Sequence, residues 1–244
     1  MRQFFLAVDP AAVPRAGDLV TLDREESHHL QAVLRGAEGR AWCLVDGLGN
    51  RYEARSAAVA GKLVTLEVVS VLRDTREDDG PLLTLACAVV KGKHFDLVVE
   101  KAVELGAARL LPLVTARGVI EPGEGRRARW ESLMRAALKQ CGRSRLPELA
   151  EPLDLPAALA ACRGQALYVG GAPDERPLLA GAAAGGAPRR ERALFIGPEG
   201  GWTAVEAAEL ASAGAVPLDL GPFTLRTETA AIVGLAALRA LAGS

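Results

Sequence analysis

The chain is poor in the residues on which several kinds of protein chemistry depend. Its four cysteines, Cys43, Cys87, Cys141 and Cys162, are scattered without any Cys-x-x-Cys spacing, so reduced thiols are expected. Of its three histidines only His28 and His29 are adjacent, and no structural metal is expected. Neither sign of charge prevails: 29 Lys and Arg against 30 Asp and Glu leave a net charge of −1. Affinity for nucleic acid therefore has to be sought in local clusters. No uncharged apolar run reaches the roughly 18 to 20 residues of a membrane span. Met1-Arg2-Gln3-Phe4-Phe5 lacks the apolar stretch and cleavage site of a secretory signal, so the expected location is cytoplasmic. Also absent are Gly-x-Gly-x-x-Gly after a strand, Gly-x-x-x-x-Gly-Lys-Ser/Thr, Gly-x-Ser-x-Gly and His-Glu-x-x-His. Rossmann dehydrogenases, P-loop NTPases, serine hydrolases and zinc proteases are disfavoured accordingly.

What is present is a 244-residue chain, half of it hydrophobic, enough for one large domain or two modest ones. Residues 1–72 read as a small, mostly β module: strands over 3–7, 18–22, 41–46, 51–59 and 63–72, one helix, and a hairpin turn at Gly47-Leu48-Gly49-Asn50. The polar stretch 73–81, Arg-Asp-Thr-Arg-Glu-Asp-Asp-Gly-Pro, is the expected linker. From 82 to 244 the pattern changes to short apolar runs at 82–90, 109–114, 166–169, 193–196 and 216–220, separated by helical stretches. This is the pattern of an α/β domain with a mainly parallel sheet. Helical phasing places Phe95, Val98, Val99, Ala102, Val103 and Leu105 on one face of 94–105, with Gly106 as its cap. In 126–141 the apolar face is Trp130, Leu133, Met134, Ala137 and Leu138. Arg135, Lys139 and Arg143 follow the opposite side at spacings of four, in a segment with seven basic residues against one acidic between 126 and 145. Such a run is either a solvated face or a phosphate-contacting surface. Residues 181–188 read as a flexible surface loop, and 229–241, whose only charge is Arg239, reads as a helix buried in the core or an interface.

Chemistry is expected at three turns that follow strands: Gly170-Gly171, Ile196-Gly197-Pro198-Glu199-Gly200-Gly201, and Leu220-Gly221 onward to Arg226. Open α/β sheets bind ligands at the carboxyl ends of their strands, and glycine there lets a ligand reach the backbone.

Five motifs occur in order: His28-His29-Leu30-x-x-Val33-Leu34-Arg35, Lys101-Ala102-x-Glu104-Leu105-Gly106, Ala137-x-x-Gln140-x-x-Arg143, Ile196 to Gly201, and Leu220-Gly221 with Leu225-Arg226-x-Glu228-Thr229-Ala230. Together they resemble the RsmE type of the SPOUT-class RNA methyltransferases. The resemblance implies methylation of N3 of a uridine in 16S rRNA of the small ribosomal subunit, with S-adenosyl-L-methionine as cofactor. It also implies a PUA-like N-terminal β-barrel, a C-terminal α/β domain with a trefoil knot, and a homodimer. Cofactor binding is carried over to Val169, Gly170, Ile196, Gly197, Glu199, Gly200, Gly201, Leu220, Gly221 and Leu225. Arg226 and Glu228 take the catalytic roles, and Arg2, Arg35, Arg135, Lys139, Gln140 and Arg143 the RNA contacts. Phe223 is a departure, since the family usually has arginine two residues after the Leu-Gly pair. The alternatives are a methyltransferase for another RNA nucleoside and a non-catalytic RNA-binding assembly factor of the same fold.

Overall fold

The computed structural model describes residues 3–34, 41–118, 125–171 and 190–241. Arg2, Arg35, the end of the turn after Gly171 and the expected loop 181–188 lie outside them. The chain forms two compact units, Met1–Arg76 with Arg135–Leu146, and Glu77–Met134 with Pro147–Ser244. The break at 76/77 falls within the stretch read as a linker. The return of 135–146 to the first unit has no counterpart in the sequence reading.

In the first unit, β1 (Gln3–Phe5), β2 (Leu19–Thr21), β3 (Ala41–Val45), β4 (Asn50–Ala60) and β5 (Leu63–Arg73) make one sheet in the order β1-β3-β4-β5-β2. β1 runs parallel to β3, and the other neighbours are antiparallel. The edge strands β1 and β2 do not pair with each other, so the sheet is open where a closed barrel was expected. Alternation along β5 sends Val64, Leu66 and Val68 inward, where they pack with Phe4, Leu30, Trp42, Leu44 and Tyr52. Helix α1 (Arg24–Leu34) is tied to this sheet by Ser27, whose Oγ donates to Leu22 O at 3.0 Å and accepts from Val64 N at 3.0 Å. The hairpin turn between β3 and β4 forms as read: Gly47 and Gly49 have φ of 78° and 98°, and the Asp46 carboxylate accepts the Leu48 and Asn50 N–H groups at 2.8 and 3.1 Å. Asp74, in the expected exposed linker, is instead buried. Its carboxylate takes two bonds from Arg76, at 2.8 and 2.6 Å, and one from Ser144 at 2.8 Å.

The second unit is an α/β layer structure. Strands β6 (Leu82–Ala88), β7 (Ala107–Leu113), β8 (Glu148–Leu149), β9 (Ala166–Gly170), β10 (Glu191–Ile196) and β11 (Val216–Pro217) form a sheet in the order β11-β9-β10-β6-β7-β8, parallel at every described pairing. Both faces are covered, which is why the strands read as continuous apolar runs. Helices α4 (Leu155–Ala161) and α5 (Ala204–Ser212) pack with Ala86, Leu111, Val169 and Phe195. Helices α2 (His94–Glu104) and α6 (Thr227–Ala240) serve the other face, to which Leu194 points. Gly234 of α6 lies so near it that an added Cβ would fall 2.6 Å from Leu194 Cδ2. The sequence reading passed over α4, a short Ala-rich segment that starts at a capping Asp154, whose Oδ1 accepts from Ala157 N at 2.9 Å.

Helix α3 (Arg126–Cys141) is divided between the units at Met134/Arg135. It ends at Gly142, whose φ of 79° no helical residue adopts. The basic stripe expected to run on to Arg143 therefore stops one turn earlier.

Candidate active site

Three neighbouring parallel strands, β11, β9 and β10, end side by side, and the segments that follow them enclose a cleft of about 490 Å³ within the second unit. Its floor is bare backbone flanked by aliphatic side chains. At Gly170 a Cβ would sit 2.6 Å from Ile196 Cδ1 and 3.2 Å from Leu220 Cδ1. At Gly197 it would press on the Trp202 ring at 3.0 Å. The turn 198–201 is closed by Gly201 N donating to Pro198 O at 2.9 Å, with Gly201 at φ 69°. Gly221, at φ 107°, would meet nothing within 4 Å and leaves the third loop open to the cleft.

Side chains from elsewhere hold these loops. Trp202 Nε1 donates to Gly170 O at 3.4 Å, and Thr227 Oγ1 donates to Gly197 O at 3.1 Å. Arg117 Nη1 donates to Gly200 O at 2.8 Å. Arg117 is itself held in place by its neighbour: Ala116 N donates to Glu206 Oε1 at 2.9 Å, and Glu206 also closes a reciprocal cap with Thr203 at the start of α5.

All the residues expected at the cofactor line this cleft except Val169. Val169 is buried in the core, and its carbonyl accepts from Leu218 N at 2.8 Å. Phe223 lines the mouth and is 79% exposed. Arg226 stands just ahead of α6, exposed, with no hydrogen bond or ion pair to its guanidinium among the described residues. Glu228 does not pair with Arg226. Its side chain is only 9% exposed, and Oε1 lies 2.9 Å from His94 Nδ1. Cys87, at the end of β6, is a buried thiol pushed far up by burial, with the Glu228 and Glu199 charges adding to the effect. It stays protonated and is no nucleophile.

Part of the basic segment is matched by carboxylates. In the second unit Arg127 pairs with Glu131 and Glu151 at 3.0 and 2.8 Å, and Arg129 with Asp96 at 2.5 Å. In the first unit Lys139 pairs with the buried Glu26, and Arg143 is only 9% exposed. Arg135 and Gln140 are exposed, Arg135 with its guanidinium 5.1 Å from the Phe5 ring centre. Of the functional residues the sequence reading missed, Glu206 carries a signal in Thr203-x-x-Glu206, a capping box. Trp202 adjoins the glycine turn, but nothing marks Arg117 or His94, which reach their partners across 83 and 134 residues.

Known proteins resemble this chain in sequence and fold. Residues 78–239 match the RNA methyltransferase domain. Ribosomal RNA small subunit methyltransferase E of Synechocystis sp. is 32% identical over 248 residues, covering 97% of this chain and 77% of that protein. The crystal structure of a ribosomal RNA small subunit methyltransferase E from Neisseria gonorrhoeae, bound to S-adenosyl methionine, superposes with a TM-score of 0.84 at 28% identity over 99% of this chain and 98% of that one. A putative methyltransferase from Legionella pneumophila in complex with SAM gives 0.81 at 31% identity, over 98% and 97%. With a domain match over most of its length and relatives above 30% identity along nearly all of it, the chain belongs to the ribosomal RNA small subunit methyltransferase E family.

Proposed function

We propose that this chain is an S-adenosyl-L-methionine-dependent methyltransferase that methylates N3 of a uridine in 16S rRNA of the small ribosomal subunit. The observation that carries the reading is the cleft at the ends of β9, β10 and β11. At its Gly170 floor a Cβ would crowd the terminal methyls of Ile196 and Leu220, and its walls join backbone of the glycine turns to Ile196, Leu220 and Leu225. Such a pocket fits a flat, partly apolar adenosyl group that is recognised through backbone N–H and C=O groups. Gly170, Ile196, Gly197, Glu199, Gly200, Gly201, Leu220, Gly221 and Leu225 would hold the cofactor. When bound, it supplies an activated methyl group on sulfur.

The protein's own task is to place the uracil and manage charge as N3 loses its proton. Arg226, exposed beside the cleft-lining Leu225 and Thr227, is suited to stabilise negative charge developing on the uracil carbonyl oxygens. The exposed Arg135 and Gln140 remain available for RNA, whereas Lys139 and Arg143 are engaged within the fold. On the same reading the second unit is a trefoil-knotted SPOUT domain. The first is a PUA-like module that captures RNA, and the enzyme works in the cytoplasm as a homodimer.

The test is to incubate the protein and labelled cofactor with small ribosomal subunits from cells lacking their own enzyme, then map the modified nucleoside by mass spectrometry. N3-methyluridine is the expected product. Another methylated nucleoside, or binding without transfer, would refute the assignment. Arg226→Ala should lower transfer by about 10²- to 10³-fold with cofactor affinity nearly unchanged. A large loss of cofactor affinity would refute the role given to Arg226.

A further inference from the structure

Beside the cleft, the buried carboxylate of Glu228 is held by an imidazole and not by the neighbouring Arg226. His94 Nδ1 lies 2.9 Å from Glu228 Oε1, and the His94 side chain is 49% exposed while that of Glu228 is 9% exposed. Opposite an ionised carboxylate, which can only accept, the neutral form of this ring carries its proton on Nδ1 and its lone pair on Nε2. The pair stands at the same strand ends as the cleft. Glu228 directly follows Thr227, which lines the cleft and bonds Gly197 O at 3.1 Å. Cys87, paired in register with Ile196, feels the charges of both Glu228 and Glu199. His94 is flanked in sequence by Lys93 and Phe95, which line a recess of about 410 Å³ together with Arg126, Arg129 and Trp130. Asp96 lines it too and pairs with Arg129, so Lys93 and Arg126 are the cations it offers to an approaching polyanion.

We propose that His94 is the general base of the reaction, taking the N3 proton of the target uridine on Nε2, and that Glu228 is a positioning residue that fixes the tautomer and orientation of the ring. This rests on the uridine-N3 reading above. The N3–H bond breaks and its proton passes to Nε2. The electron pair left on N3 forms the bond to the methyl carbon, while the pair of the broken C–S bond stays on sulfur. The imidazolium so formed is balanced by the Glu228 carboxylate and returns its proton to solvent. The charged and titratable groups on the surrounding elements are Glu228 on α6, Cys87 on β6, Lys91 and Lys93 ahead of α2, Asp96 on α2, and Arg126 and Arg129 on α3, with Asp96 and Arg129 paired to each other. Of these, Glu228 alone bonds the ring among the described residues.

The deciding measurement is the single-turnover rate of methyl transfer to intact small subunits between acidic and mildly alkaline pH. In the wild type the rate should fall toward acid, as it does for any reaction that needs an unprotonated base. His94→Gln should remove that limb and slow the reaction by about 10²-fold or more, with cofactor affinity by calorimetry unchanged. Glu228→Gln should slow transfer, and adding His94→Gln to it should cost less than His94→Gln costs in the wild type, because the two side chains act as one unit. A His94→Gln enzyme that keeps both rate and limb overturns the inference. A wild type without an acid limb overturns it even if the variant fails to fold. Independently of activity, long-range ¹H–¹⁵N spectra of the free protein should show the neutral ring of His94 with its proton on Nδ1; a neutral ring with its proton on Nε2 overturns the proposal. Failure of the parent reading has another signature, a wild type that leaves no N3-methyluridine at any pH, and that outcome overturns both.

Discussion

Replacing Glu206 by glutamine removes an acceptor from a buried position where both carboxylate oxygens are in use. Oε1 accepts from Ala116 N at 2.9 Å, and Oε2 accepts from Thr203 N and Thr203 Oγ1, each at 2.8 Å. A carboxamide has one oxygen. Whichever way it turns, its NH₂ group confronts a backbone N–H, of Thr203 or of Ala116, and leaves that donor unsatisfied. A hydrogen bond to a charged acceptor contributes about 1.5–3 kcal/mol, so the second unit should lose about 2 kcal/mol. At about 2–4 °C per kcal/mol for a chain of this size, Tm should fall by about 4–8 °C. Burial alone would raise the Glu206 pKa, but the hydrogen bonds from Thr203 and Ala116 outweigh it and hold it below the ordinary glutamate value. The advantage of the wild type over E206Q is therefore complete above the ordinary glutamate range and is lost as pH falls through the lowered folded-state pKa. Because Ala116 precedes Arg117, which grips Gly200 O at 2.8 Å, cofactor affinity should fall as well. Scanning calorimetry at neutral and acidic pH and cofactor titration check both effects. An unchanged Tm at neutral pH would refute the reasoning.

Two further substitutions test the floor of the cleft and the first unit. Gly170→Ala places a methyl group 2.6 Å from Ile196 Cδ1. It should weaken cofactor binding by about 10- to 100-fold, or about 1.4–3 kcal/mol, with affinity by titration calorimetry as the readout and an unchanged affinity as the refuting result. Asp74→Asn should cost the first unit about 2 kcal/mol in urea unfolding at neutral pH. Hydrogen bonds from Arg76 oppose the cost of burial and, with Ser144, hold the Asp74 carboxyl well below the usual carboxylate range. That stabilisation is fully present above the ordinary aspartate pKa near 3.8 and is lost as pH falls through the depressed folded value. The gap between wild type and variant should then stay constant from mildly acidic to neutral pH. A gap that closes above the ordinary aspartate range would contradict this account.

Local pattern in the chain was enough for the elements whose side chains repeat at the period of their backbone. Alternation along 63–72 anticipates β5, the apolar face of Trp130, Met134, Ala137 and Leu138 anticipates α3, and the glycines at 197, 200, 201 and 221 mark loops that do line one cleft. Short elements such as β8 and α4 escaped because two to seven residues carry too little periodicity. What needed the tertiary structure were the pairings between distant segments. A charge on a helix looks the same in sequence whether it faces water or a carboxylate brought to it by another element, so the stripe through Lys139 and Arg143 read as either a solvated face or a phosphate surface, and neither the pairing of Lys139 with Glu26 nor the burial of Arg143 was legible. Likewise, Glu228 followed Arg226 in the sequence and was grouped with it, but the helical turn directs its carboxylate inward to His94, 134 residues away. Sequence alone determined which backbone could be bared to a ligand, because that depends on the absence of a Cβ. Only the fold decided which charges met, because ion pairs form through space and leave no local trace.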